Sequence, residues 1–146
     1  MYKRILLPLD GSALAEQALP HAIVQAERCQ AELVLLKVLE LLQIHGLARP
    51  SIEWVKKQTT TLAHEYLERV AAKVKEHGIP VQVATTDGHP PVAIVGFAEA
   101  NEVDLIVMST RGHSGFGRWL MSSMADRVVC EASVPVLLVR ARKEGT

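Results

Sequence analysis

The stretch DLIVMSTRGHSGFGRWLMSSMADRVV, residues 104–129, passes from a short apolar run through a polar loop into a segment with helical spacing. Its first part, DLIVMS (104–109), is nearly continuous in Leu, Ile, Val and Met, the pattern of a parallel strand covered on both faces. Downstream, Leu120, Met121, Met124, Ala125, Val128, Val129 and Ala132 recur at three- and four-residue steps and form one stripe of a helix. Between them stand Thr110, Arg111, Gly112, His113, Ser114 and Gly115. A strand that hands over to a helix through small polar residues is one unit of an α/β fold, and the loop then sits where such folds hold ligands.

Four further strand-like runs lie outside this stretch: RILLPL (4–9), ELVLLKVL (32–39), VQVATT (81–86) and VPVLLVR (134–140). VQVATT alternates, as an edge strand with one wetter face would. Helix-period segments separate the runs. SALAEQALPHAIVQAERC (12–29) opens on Ser12, a good N-cap, and Pro20 predicts a kink within one helix. From Ser51 to His77, Ile52, Val55, Leu62, Tyr66, Val70 and Val74 mark an apolar face, and Gly78 supplies the stop. PPVAIVGFAEANE (90–102) starts with Pro91 in a first turn, where proline is tolerated. Residues 40–51, ELLQIHGLARPS, read as an irregular flap. The order β-α-β-α-β-α-β-α-β predicts an α/β three-layer sandwich around a five-stranded parallel sheet. If strand 1 is central, strands 2 and 3 extend to one side and strand 4 starts the other, the order 3-2-1-4-5, and the whole of residues 1–146 reads as one domain.

The bulk composition narrows the function classes. The 146 residues are 49% hydrophobic and 22% charged, with 16 basic and 16 acidic side chains. That is globular composition, and the zero formal charge gives no reason to expect a nucleic acid or an anionic membrane as partner. No run reaches the roughly 18 apolar residues of a membrane span, and the start lacks a leader's features. A cytoplasmic setting follows as the expectation. Cys29 and Cys130 stand in apolar surroundings and read as buried free thiols.

With strand 1 central, the strand order reverses between strands 1 and 4, so PLDGS (8–12) and MSTRGHSG (108–115) should face each other across a crevice. Glycine-loop amides and the following helix N-terminus suit phosphate oxygens. Ser109, Thr110, Ser114, Ser122 and Ser123 could add hydroxyl donors and Arg111 a charge; His113 is a further phosphate candidate. Asp10 is an acceptor for ribose hydroxyls or a base amino group. The same residues also make ordinary turns and caps, and spacing alone leaves both readings open. The glycines fit neither G-x-G-x-x-G nor a P-loop. His21, His64 and His77 read as surface or partly buried, His89 as part of a turn, and Trp54 and Trp119 as packing or dimer contacts.

RILLPLDGS (4–12), LVLLKVL (33–39), GHPPVAIVGFAEANEVDLIVMSTRG (88–112) and SVPVLLVR (133–140) together resemble the universal stress protein family over nearly the whole chain. The resemblance implies an adenine nucleotide alpha hydrolase-like fold and binding of ATP, or of AMP or ADP, with Mg or Mn on the phosphates. The nucleotide-binding branch carries G-x2-G-x9-G-(S/T); here the register gives Ser109-x2-Gly112-x9-Ser122-Ser123, with serine at both outer glycines. A glycine there serves positive φ or close approach to phosphate. By resemblance, Pro8, Leu9 and Asp10 contact the adenosine end and the Val38 backbone reads adenine. Residues Ser109 to Gly115 and Ser122, Ser123, Met124 and Ala125 hold ribose and phosphates. The family also implies a homodimer through the last strand, Val134 to Arg140, and a ligand-responsive role in stress response without efficient catalysis. The rivals are a nucleotide-free stress protein that works through protein contacts, a weak ATPase, and a phospho-receiver domain. The last lacks its paired acids beside Asp10 and its lysine near strand 5.

Overall fold

A computed structural model describes residues 1–40, 49–110 and 123–142. Five strands, β1 (Arg4–Pro8), β2 (Glu32–Leu39), β3 (Val81–Asp87), β4 (Leu105–Thr110) and β5 (Val136–Arg140), form one parallel sheet in the order β3-β2-β1-β4-β5. The helices are α1 (Ala13–Glu16), α2 (Leu19–Cys29), α3 (Arg49–Lys75), α4 (Pro90–Ala100) and α5 (Ser123–Glu131). The predicted strand order is the observed one.

Alternation along each strand divides the core into two layers. Ile5, Leu7, Leu33, Leu35 and Val107 pack with Ile23 and Ala26 of α2 and Leu67, Val70 and Val74 of α3. Leu6, Val34, Leu36, Ile106 and Met108 pack with Ile94 and Ala98 of α4 and Ala125 and Val128 of α5. Helices on both faces explain why β1, β2 and β4 read as unbroken apolar runs. β3, on the sheet edge, keeps its residues half-buried or exposed.

Several local expectations need correction. Pro20 does not kink one helix; the helix is broken at Gln17–Ala18, and Pro20 stands in the first turn of α2, where its missing N–H costs nothing. On α3, Leu62 faces out at 62% exposure, and the core stripe is Ala63, Leu67, Val70, Ala71 and Val74. Leu62 is one position from Ala63, about 100° round the helix, so a stripe read through it was rotated off the buried face. Val129, at 45% exposure, likewise leaves the α5 stripe. Cys29 is half-buried at the end of α2 and Cys130 is exposed on α5, so neither is a buried thiol. Arg49 to Ser51 belong to α3 rather than to an irregular flap; residues 41–48 lie outside the described residues. Gly78 takes φ +74 and accompanies the end of α3, as a C-terminal stop requires.

Candidate functional site

At the carboxyl ends of β1, β2 and β4 the two sides of the sheet part, and a cleft of about 560 Å³ opens between α4 and α5. This is the topological switch point, because β2 and β4 leave β1 in opposite directions. Leu36, Ile94 and Met108 are buried and give the cleft an apolar floor. Pro8, Leu9, Asp10, Val38, Ser109, Thr110, Met124 and Ala125 also line it. The structure thus brings eight of the proposed site residues to one cavity, drawn from three strand ends and one helix.

Local structure fixes the β1 side. Gly11 takes φ +92, a conformation that side chains strain to adopt, and so lets the chain turn sharply after Asp10. The Asp10 carboxylate accepts from the Ser12 amide at 2.8 Å through Oδ1, which pins the side chain at the turn. Ser12 in turn caps α1, its hydroxyl accepting from the Ala15 amide at 3.1 Å. Asp10 is exposed, and among the described residues its hydrogen bond to the Ser12 amide uses Oδ1.

The β4 side is tied to the same turn. Ser109 donates its hydroxyl to the Ala15 carbonyl at 3.2 Å. Among the described residues only Gln30 and Glu102 combine a side chain with positive φ, so Ser109 stands in ordinary strand backbone and has no need of glycine's freedom there. Arg111, Gly112, His113, Ser114, Gly115 and Ser122 lie outside the described residues, as does Trp119; Ser123 begins α5.

The sequence reading missed part of the lining. Glu40 follows β2 at the rim, and His89, Pro90 and Pro91 bring the start of α4 to the wall. Arg127 lines the cleft from α5, with Nη1 3.2 Å from His89 Nε2. The available signal was spacing: Arg127 follows Met124 by three residues and shares its flank of the helix. Trp54, at 63% exposure, stands on α3 and is not part of the cleft lining.

On the opposite face of the sheet, Tyr66 of α3 donates to Glu16 Oε2 at 2.8 Å, and the Lys37 ammonium lies 5.6 Å from the Tyr66 ring centre. Burial first, then the Glu16 hydrogen bond and the charges of Glu16 and Asp10, push the Tyr66 hydroxyl well above its ordinary range, with Arg69 opposing. This cluster braces α1, and with it the Asp10 turn, from behind.

A model of the universal stress protein family matches residues 1–140. The chain belongs to that family. Universal stress protein MJ0531 of Methanocaldococcus jannaschii is 36% identical over 145 residues, covering 99% of this chain and 85% of that protein. The structure of MJ0577, from the same organism, superposes with a TM-score of 0.85 at 29% identity over 99% of both chains. A universal stress protein solved in complex with cAMP superposes with a TM-score of 0.75 over 97% of this chain and 98% of its own; at 20% identity it shows the shared fold. The fold shared with universal stress proteins accounts for the sheet order. No helix among the described residues is long and apolar enough to cross a membrane.

Proposed function

We propose that this universal stress protein binds an adenine nucleotide in the cleft between β1 and β4 and acts as a ligand-responsive regulator. The cleft itself carries the reading: an apolar floor of Leu36, Ile94 and Met108 suits a flat base, and Asp10 at the rim suits ribose hydroxyls. Its volume of about 560 Å³ falls within the range of small-molecule sites. The family supports the choice, since a member of the same fold was solved with cAMP. The phosphates would extend over the β4–α5 junction toward Ser123, where helix amides favour negative charge. A divalent ion, Mg or Mn, would enter on those phosphates.

The chain acts by binding rather than by turnover. Of the acid–base groups among the described lining residues, Asp10 would face the ribose end, Glu40 stands at the β2 rim, away from the phosphates, and His89 Nε2 is engaged by Arg127. The protein works in the cytoplasm as a homodimer paired along β5, which is a sheet edge among the described residues, with Leu138 at 40% exposure. Ligand binding shifts the population of conformations near the cleft, and a partner protein reads the shift.

Thermal-shift titration of nucleotide-stripped protein with ATP, ADP and AMP, with and without magnesium, tests the reading. A bound nucleotide raises Tm with concentration by mass action. No shift at millimolar nucleotide, together with no calorimetric binding, would leave a stress protein that works through protein contacts alone.

A further inference from the structure

The wall of the cleft holds a side-chain pair to which the reading above gives no ligand contact. Arg127 Nη1 lies 3.2 Å from His89 Nε2, and Arg127 Nη2 donates to Glu131 Oε1 at 3.3 Å. A guanidinium can only donate, so in this contact His89 Nε2 is the acceptor. Two acceptors, one preceding α4 and one on α5, therefore hold the guanidinium plane across the gap between the helices. A guanidinium carries five N–H donors, so further ones remain after these two contacts.

The position of the pair decides what it can reach. His89 is the residue before α4, and the Gly88 amide donates to the Leu39 carbonyl at 3.1 Å. His89 therefore stands near the β2 end of the cleft, Arg127 reaches it from α5, and both line the cavity that Leu36 and Ile94 also line; β1 separates the β2 end from β4. The apolar floor there suits the base. Asp10 and Glu40, when ionised, only accept, which serves an exocyclic amino group but not a ring nitrogen. The Ser109 hydroxyl is already committed to Ala15. A purine presents more than one ring nitrogen that needs a donor; the Val38 main chain and the hydroxyls of Ser12 and Thr110 are neutral candidates, and Arg127 is the charged side-chain donor among the described lining residues.

We propose that Arg127, oriented by His89, donates a hydrogen bond to a ring nitrogen of the bound purine base. This rests on the adenine-nucleotide reading of the cleft and adds a side-chain contact to the base. Arg127 is the contacting residue and His89 a positioning residue. The Arg127 side chain is 46% exposed, so water competes for its donors and the contact contributes modestly.

Calorimetry with adenosine, AMP and the 1-, 3- and 7-deaza analogues of adenosine tests the assignment on purified protein. Arg127→Met should weaken adenosine and AMP by the same factor, about five- to tenfold. One deaza analogue should bind wild type more weakly than adenosine, and that penalty should vanish in Arg127→Met. His89→Leu should cost about threefold, because the guanidinium is no longer held, and His89→Gln, which restores an acceptor, should recover most of it. Loss of AMP affinity without loss of adenosine affinity would make Arg127 a phosphate ligand and overturn the proposal. Unchanged affinity for both in Arg127→Met would overturn it while leaving nucleotide binding intact. A wild-type protein that binds neither ligand would remove both readings.

Discussion

The Ser109 hydroxyl donates to the Ala15 carbonyl at 3.2 Å and so joins the end of β4 to the short helix that follows β1. The two strand ends that frame the cleft are thereby linked by a side chain. Ser109→Ala should lower stability by about 1 kcal/mol in urea unfolding through loss of this bond. Ser109→Gly should cost a further ~0.5–1 kcal/mol, since glycine weakens a strand and nothing at this position calls for positive φ. Equal stability of the two variants would show that the backbone here profits from glycine.

Tyr66 makes stability depend on pH at the alkaline end. Its hydroxyl titrates at 10.0 when unperturbed and higher in the fold, chiefly through burial and the bond to Glu16. The folded state therefore holds the proton more tightly than the unfolded chain. The contribution is complete below about pH 10 and is lost as pH rises beyond it. Tyr66→Phe should cost about 1 kcal/mol near neutrality. The gap in Tm between wild type and variant should narrow steadily from pH 9 to pH 11, measured by calorimetry.

Asp10 combines a turn role with a proposed ligand role, and the two can be separated. Asp10→Asn keeps an acceptor for the Ser12 amide, so the melting temperature of the unliganded protein should change little. Its charge is gone, and affinity for adenosine should fall about tenfold, the scale of one hydrogen bond to a charged group. Undiminished binding in the variant would place the ribose elsewhere.

The edge of β5 should govern assembly. Leu138→Lys sets like charges on both sides of a paired edge, a device that discourages strand pairing. Light scattering after size exclusion should show a dimer for wild type and a monomer for the variant. A monomeric wild type would assign the exposed leucine no role in assembly.

Much of this was legible in the residues. Helices cover both faces of the sheet, so the buried strands declared themselves as continuous apolar runs, and their alternation with helices implied a parallel sheet, ordered once strand 1 is taken as central. Asp10 and Ser109 were placed together because the switch point follows from that order, whereas Met124 and Ala125 came from the family resemblance. The errors share a cause: periodicity says that a helix has a buried face but not which residues centre it. Leu62 and Ala63 both fitted a stripe, and packing against β2 and β3 chose the smaller. His89 and Arg127 were out of reach because they are 38 residues apart and meet only when α4 and α5 lie side by side. Pro20 suited either a kink or a new start, and contacts made by Gln17 accompany the second.

Those contacts come from the break between α1 and α2. The Gln17 amide nitrogen donates to the Arg142 carbonyl, and its oxygen accepts from the Arg142 N–H at 2.8 Å. One side chain thereby imitates a rung of sheet and staples the chain beyond β5 to the far end of the sequence. Outward travel of α1 must rupture both bonds or drag the last strand's exit along, so the mouth of the cavity and the border of the sheet cannot shift independently.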